Sequence, residues 1–156
     1  MKKLIETWNK VITEKKELKH ISSVYIFNDK REVLLIKRSK TAEKDPHIWE
    51  VPGGHVDAED ASYEAAAKRE AKEESGLSVS NLKHLEDQEF HNRIKHIYVT
   101  EEYSGEVKIV ANPETGIVEH SDYMWATMED IVTLNKQTRV SRYLMEKAIS
   151  ILGDKK

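Results

Sequence analysis

The pattern of hydrophobic and polar positions predicts that most of this chain is extended. Two runs rich in β-forming residues, 24–27 and 33–38, flank the turn-forming residues 28–30 and predict a β-hairpin. Further strands are predicted near residues 79–90, 94–103, 106–110 and 123–127. Ser104-Gly105 is expected to form the tight turn before the strand at 106–110.

Three other segments repeat apolar residues at the period of a helix. Residues 3–16 predict a leading amphipathic helix whose apolar stripe packs into the core, with a strand as the alternative. That stripe comprises Leu4, Ile5, Trp8, Val11 and Ile12. A middle helix is predicted over about 62–75, with Asp60 or Ser62 as its N-cap and Gly76 ending it in a left-handed conformation. The closing helix carries a strong stripe of Val140, Leu144, Ala148, Ile151 and Leu152.

This order of elements favours an α/β or α+β protein with helices on both faces of a sheet. The chain has 156 residues, of which 38% are hydrophobic and 34% charged, enough for one core and a charged surface. Since no repeat or flexible linker interrupts it, residues 1–156 are predicted to form a single domain.

Composition also restricts the compartment and the partners. No apolar run reaches the length of a membrane span, and the N-terminus lacks the apolar core of a signal peptide, so a cytoplasmic protein without a membrane partner is expected. The absence of cysteine excludes disulfides and thiolate chemistry. The net charge of −3 argues against binding to a nucleic acid polymer.

Three carboxylates, those of Glu70, Glu73 and Glu74, fall at i, i+3 and i+4 of the middle helix and therefore project side by side. Such a cluster repels itself unless a cation neutralises it, and Mg²⁺ prefers oxygen ligands of this kind. The alternative is an ordinary solvated helix face, since Arg69 and Lys72 are interspersed with the acids.

The glycine turn at Gly53-Gly54 and this helix together resemble the signature of the Nudix hydrolases, Gly-x5-Glu-x7-Arg-Glu-U-x-Glu-Glu-x-Gly-U, where U is aliphatic. Residues 54–77 carry the match, which begins at Gly54 and ends at Gly76-Leu77, with Ala71 as a small substitute for the first U. Flanking sequence extends the resemblance over about 22–130. The loop before Arg69 is one residue longer than the pattern, so Glu59 or Asp60 must replace the family's first glutamate.

The resemblance, which is to MutT-like proteins, implies an α/β/α sandwich with a mixed β-sheet. It implies that Mg²⁺, or alternatively Mn²⁺, is bound by the Gly54 carbonyl and the carboxylates of Glu70, Glu73, Glu74 and Glu119. The general base is expected to be Glu73, Glu70 or Glu119. By the same resemblance, Arg69 organises the loop through Glu59 or Asp60.

The implied reaction is hydrolysis of a diphosphate linkage in a nucleoside diphosphate joined to another moiety, with nucleoside triphosphates as the leading substrates. Two accessory marks, for ADP-ribose and for dinucleoside polyphosphates, are missing at residues 92–94. Arg38 and Lys37 are candidate phosphate ligands. Lys40, Arg93 and Lys95 are further candidates, and His55 and His120 flank the site in sequence. The expected partner is a nucleotide or another small diphosphate, and a homodimer is an open alternative to a monomer.

Two other functions are alternatives to this one. The longer loop is compatible with a non-catalytic nucleotide-binding or regulatory module, although all three helix acids are present. An isoprenyl diphosphate isomerase is disfavoured because the resemblance to those enzymes implies a cysteine, and the chain has none.

Overall fold

The computed structural model describes residues 2–8, 18–112 and 114–153. Its helices are α1 (2–8), α2 (Tyr63–Ser75), α3 (Met128–Leu134) and α4 (Arg142–Leu152), with a 3₁₀ turn at Asn135–Gln137. Its strands are β1 (Lys19–Ile26), β2 (Val33–Arg38), β3 (Trp49–Glu50), β4 (Gly53–His55), β5 (Ser78–Ser80), β6 (Lys83–Phe90), β7 (Arg93–Thr100), β8 (Glu102–Ser104) and β9 (His120–Ala126).

The central sheet is mixed and has the strand order β4-β1-β7-β6. Strands β1 and β7 run parallel over their full length, whereas β4 and β6 add to them in antiparallel orientation. An antiparallel sheet of order β3-β2-β9 and the pair β5-β8 complete the extended part of the described chain.

Apolar side chains of β1 and β2 alternate between two cores, as the period of a strand requires. Val24, Ile26 and Leu34 pack with Ala67 and Ala71 of α2. The neighbouring residues of the same strands pack on the opposite side, with α3 and α4. The extended layer therefore lies between helices, which confirms the predicted α/β/α sandwich with a mixed sheet.

The boundaries of α2 follow its sequence closely. The Ser62 hydroxyl accepts a hydrogen bond from the Ala65 N–H, so Ser62 rather than Asp60 is the N-cap. Gly76 ends the helix with φ of 81°, in the left-handed region that glycine adopts without strain. This helix carries the acidic cluster, so its ends determine where the cluster lies.

The predicted hairpin is only partly formed. Asn28 and Glu32 close the turn, and one bridge joins Phe27 to Val33. Beyond that bridge, β1 pairs with β4 and β7 whereas β2 pairs with β3 and β9. The prediction is correct for the turn and wrong for the pairing beyond it, because local patterning identifies strands but not their distant partners.

Three other strand predictions need correction. The run near 94–103 is divided between β7 and β8, and Glu101 lies between them. The extended run near 79–90 is divided between β5 and β6, and Asn81 lies between them with φ of +51°. Residues 106–110 form no strand. Their backbone follows the end of α2 instead, where the Lys108 N–H donates to the Ser75 carbonyl at 2.8 Å.

The leading helix is described only over residues 2–8, and the rest of the predicted segment, including Val11 and Ile12, lies outside the described residues. Leu4, Ile5 and Trp8 are exposed, so the predicted packing of this stripe into the core is wrong for them. Helical spacing predicts an apolar stripe but does not say what covers it. Among the described residues, no helix combines the length and apolar character needed to cross a membrane.

Candidate active site

The floor of the candidate site is the glycine pair of β4, which lies between β1 and α2. A Cβ atom on Gly53 would lie 2.6 Å from the Cβ of Ser23, and one on Gly54 would lie 2.5 Å from Oε1 of Glu70. Both distances are far below van der Waals contact. Glycine at both positions therefore lets β4 approach β1 on one side and the carboxylates of α2 on the other.

Two carboxylates of α2 point inward at this floor. The side chain of Glu74 is 9% exposed, and its Oε1 accepts the Gly53 N–H at 2.7 Å. Burial raises the pKa of Glu74 well above its usual range, and the charge of Glu70 adds to the effect. Burial likewise raises the pKa of Glu70 to about 7, against the opposing charge of Arg69.

The other predicted acids approach the same place from more exposed positions. Glu73 is 39% exposed and its Oε2 lies 3.2 Å from Nη1 of Arg69. Glu119 immediately precedes β9, and its charge contributes to the raised pKa of both Glu70 and Glu74. The structure thus brings Glu70, Glu73 and Glu74 of α2 and the more distant Glu119 around one glycine turn.

The longer loop before α2 is closed by Asp60 and not by Glu59. Asp60 receives hydrogen bonds from Nε and Nη2 of Arg69, both at 2.9 Å, and from the Asp57 N–H at 2.8 Å. Arg69 also donates to the His55 carbonyl at 3.0 Å, which ties the helix to the end of β4. Glu59 is exposed and forms no side-chain bond to the described residues.

A buried histidine joins the acids of α2 to a carboxylate that the sequence did not suggest. Nδ1 of His120 lies 3.4 Å from Oε2 of Glu74, and its Nε2 lies 3.1 Å from Oε1 of Glu50. Although burial opposes it, the hydrogen bond with His120 and the charges of Arg139 and Arg38 lower the pKa of Glu50. Nothing local marked Glu50 as part of a site, because its partners are 12 to 89 residues away.

The remaining sequence candidates have other contacts. Arg38 donates to Glu50 and to the Lys44 carbonyl, and the ammonium of Lys37 lies 5.6 Å from the ring centroid of Trp49. His55 is exposed and takes part through its backbone carbonyl. Roles for Arg38 and Lys37 in phosphate binding stay predictions.

The donor set fits a hard divalent cation. It consists of carboxylate oxygens and one imidazole, and ligand atoms of Glu74, Glu119 and His120 lie within 4.8 Å of one another. These acids are crowded and have raised pKa values, and a bound cation would relieve the repulsion between them. An open depression of about 440 Å³ also lies beside β1 and β4, but no carboxylate lines it. Fold and site together define an α/β/α protein with an oxygen-rich acidic cluster suited to a divalent metal.

Comparison with known proteins agrees with that class. The NUDIX domain model matches residues 18–148, and the chain therefore belongs to the NUDIX domain family. A curated relative from Bacillus subtilis, named a putative 8-oxo-dGTP diphosphatase, is 39% identical over 57 residues. That match spans 36% of this chain and only 34% of the relative.

Solved structures extend the likeness over most of the chain. A MutT structure from work on Aliivibrio salmonicida and Vibrio cholerae is 25% identical, with a TM-score of 0.61, and the alignment covers 74% of this chain and 84% of that one. The NUDIX domain of Shewanella oneidensis NrtR, solved with ADP ribose, has a TM-score of 0.63 at 20% identity and covers 85% of this chain and 87% of that one. The second likeness concerns the fold alone.

Proposed function

We propose that this protein is a Mg²⁺-dependent hydrolase of a diphosphate linkage in a nucleoside diphosphate joined to another moiety, with nucleoside triphosphates as the leading class. Mn²⁺ is the alternative cofactor. The observation that carries the proposal is the convergence of Glu70 and Glu74 on the Gly53-Gly54 turn, where burial raises the pKa of both carboxyl groups. Burial of these acids destabilises the metal-free protein, and a bound cation would offset that loss by neutralising their charge.

The residues that would hold the metal are the Gly54 carbonyl and the carboxylates of Glu70, Glu73, Glu74 and Glu119. When bound there, Mg²⁺ would neutralise charge on the phosphoryl oxygens and lower the pKa of a coordinated water.

The chain's own groups supply orientation and proton transfer. The Gly53 N–H and His120 fix the carboxylate of Glu74 from two sides. The Ser39 N–H holds the backbone carbonyl of Glu119 at 2.9 Å, which places its side chain beside the helix acids. The general base is assigned to Glu73, Glu70 or Glu119, with Glu73 the most accessible of the helix acids.

Arg69 and Asp60 act as positioning residues in this scheme. Their paired hydrogen bonds fix the loop that leads into α2, and Arg69 reaches Glu70 and Glu73 with Nη1 at 3.1 and 3.2 Å. Because the ion pair touches both carboxylates and the β4 carbonyl, it orients the acids relative to the glycine turn.

The name of the Bacillus subtilis relative supports a nucleoside triphosphate as substrate, although the alignment covers about a third of that protein. A nucleotide or another small diphosphate as ligand stays a prediction from the sequence. A cytoplasmic location, a single domain over residues 1–156 and a homodimer stay predictions from the sequence.

The test is release of phosphate-bearing fragments from triphosphates, ADP-ribose, dinucleoside polyphosphates and nucleotide sugars, with and without Mg²⁺ or Mn²⁺. The wild type should cleave at least one class only with metal, and Glu73→Gln should lose about 100-fold or more in turnover while staying folded. Glu129→Gln, on an exposed position of α3, is the matched control and should keep full activity. Unchanged activity in Glu73→Gln would refute its assigned role, and a folded wild type inactive on every class would favour a binding module.

A further inference from the structure

A small pocket of about 60 Å³ lies directly beside the acidic cluster, between β1, β7 and the segment that precedes α4. Gly53 and Glu50 belong to both, because they line the pocket and also contact Glu74 and His120 respectively. A group that entered this pocket would therefore be a neighbour of a diphosphate held by the acids.

Lys95 of β7 also lines this pocket and carries a charge without a partner. It lies opposite Ile21 of β1, and its ammonium forms no hydrogen bond or ion pair with any described residue. Burial lowers the pKa of Lys95, the charge of Glu50 opposes that shift, and the charge of Arg139 adds to it. Lys95 is half-buried, and its ammonium is free to pair with an anion that enters the pocket.

Glu50 does not serve as that partner, because other groups already occupy it. Its oxygens accept from Arg38 at 3.1 Å and from Arg139 at 2.8 Å, and they lie 3.1 Å from the His120 ring. Arg139 in turn is held by Asp45 at 2.7 Å. The pocket is thus lined by two cations, Lys95 and Arg139, and by one carboxylate, that of Glu50. Arg139 is paired with Glu50, so Lys95 is the lining cation without an ion-pair partner among the described residues.

A second polar group in the pocket also lacks a partner. Ser23 of β1 is 1% exposed, and its Oγ has no hydrogen-bond partner among the described residues. Buried polar atoms are almost always hydrogen-bonded in native structures, so the Ser23 hydroxyl is available to donate to a group that enters the pocket lined by Lys95.

We propose that Lys95 is a specificity-determining residue that binds a second anionic group, a carboxylate or a phosphate, carried by one of the two groups that the diphosphate joins. The pocket has room for a few waters, whereas sites for whole ligands measure about 300–1,000 Å³. A compact anion fits this space and satisfies both Lys95 and Ser23. The proposal rests on the proposed function, since the acids must hold the diphosphate next to the pocket.

The test compares substrates that differ only in the second anion. UDP-glucuronate against UDP-glucose tests a carboxylate, and coenzyme A against dephospho-coenzyme A tests a phosphate. Values of kcat/KM with Mg²⁺ are measured for the wild type, Lys95→Met and the control Lys83→Met, an exposed lysine of β6. Affinities for the same compounds are measured by calorimetry with Ca²⁺ in place of Mg²⁺, so that binding is read even where nothing is cleaved.

The wild type should prefer the anion-bearing member of at least one pair, and Lys95→Met should lower kcat/KM or affinity for that member on the order of 30-fold. The neutral member and the Lys83→Met variant should change less than threefold. Lys95→Met should also melt at or above the wild-type temperature, because it removes a half-buried charge that forms no ion pair with the described residues.

Equal affinity for both members of each pair, or an equal loss for both in Lys95→Met, would overturn the proposal while leaving the hydrolase intact. The same holds if no member binds. Preferential binding without any cleavage would instead sustain the role of Lys95 and count against the proposed reaction.

Discussion

The ion pair between Asp60 and Arg69 offers the sharpest test of how the longer loop is held. Asp60→Asn keeps the size of the side chain but removes its charge and one of its two acceptor oxygens. The side chain of Asp60 is 8% exposed and that of Arg69 27%, so water replaces little of what is lost. Glu59→Gln is the matched control, because Glu59 is the neighbouring acid and is exposed.

The magnitude follows from the bonds that change. Hydrogen bonds to charged groups contribute about 1.5–3 kcal/mol each, and Asp60 accepts two from Arg69. Asparagine can retain one of them, and Arg69 keeps the His55 carbonyl and its other acidic neighbours. We therefore expect Asp60→Asn to lower the free energy of unfolding by about 2 kcal/mol, or about 4–8 °C in melting temperature. Glu59→Gln should stay within about 0.5 kcal/mol of the wild type.

The effect should also depend on pH. Hydrogen bonds from Arg69, against some burial, lower the pKa of Asp60, and the Asp57 N–H adds to the shift. The stabilisation by a carboxylate with a lowered pKa is present above its unfolded value, about 3.9, and is lost as the pH falls through the folded value. Urea denaturation from pH 3 to pH 8 should thus show a constant difference in the free energy of unfolding between wild type and Asp60→Asn above about pH 5. This difference should narrow below about pH 4. A difference that does not depend on pH, or an equal loss in Glu59→Gln, would refute this account of the loop.

Two further predictions concern the glycine turn and the acids that face it. Mg²⁺ or Mn²⁺ at about 100 times its Kd should raise the melting temperature by about 5–10 °C, with K⁺ at equal ionic strength as the control; no shift with either metal would contradict the site. Gly53→Ala should cost about 2–3 kcal/mol in urea denaturation, because its Cβ would lie 2.7 Å from the Ser22 carbonyl oxygen. Gly54→Ala should cost less stability, since the three atoms nearest its Cβ all belong to the carboxylate end of the Glu70 side chain, which can rotate away. A larger loss in Gly54→Ala than in Gly53→Ala would show that the backbone of β1 can move to make room for the Cβ of residue 53.

Local features of the sequence were enough to predict α2 and its acids. Ser62 and Gly76 mark the ends of the helix by their own chemistry, and spacing at i, i+3 and i+4 puts the carboxylates on one face. Local sequence could not decide whether Glu59 or Asp60 pairs with Arg69. It depended on the path of the loop, which the Asp57 N–H and the reach of Arg69 decide together.

The sequence could not predict features that depend on pairing between strands far apart in the chain. The parallel pairing of β1 with β7 joins residues 74 positions apart, for example Lys19 with Arg93, and no turn signal encodes it. The same pairing separates β1 from β2 and places Lys95 beside the glycine turn. Residues 106–110 have a strand-like composition, but the end of α2 offers a backbone acceptor at Ser75 that they use instead.

Glu74 and Glu50, the two carboxylates on either side of His120, have opposite electrostatic environments. We therefore expect Glu74 to bind the cation and Glu50 to hold the site in place. Glu74 is buried among other acids and its pKa is raised, so it gains most when a cation arrives. Glu50 is surrounded by Arg38 and Arg139, which together with His120 lower its pKa although burial opposes them, so it stays ionised and links β3 to β2 and to the segment before α4. The His120 ring couples the positions of the two carboxylates, because Glu50 contacts Nε2 and leaves Nδ1 directed at Glu74. Because Glu50 also lines the pocket of Lys95, a rearrangement of its arginine partners would disturb the acids and the pocket together, whereas loss of the Lys95 charge would disturb the pocket alone.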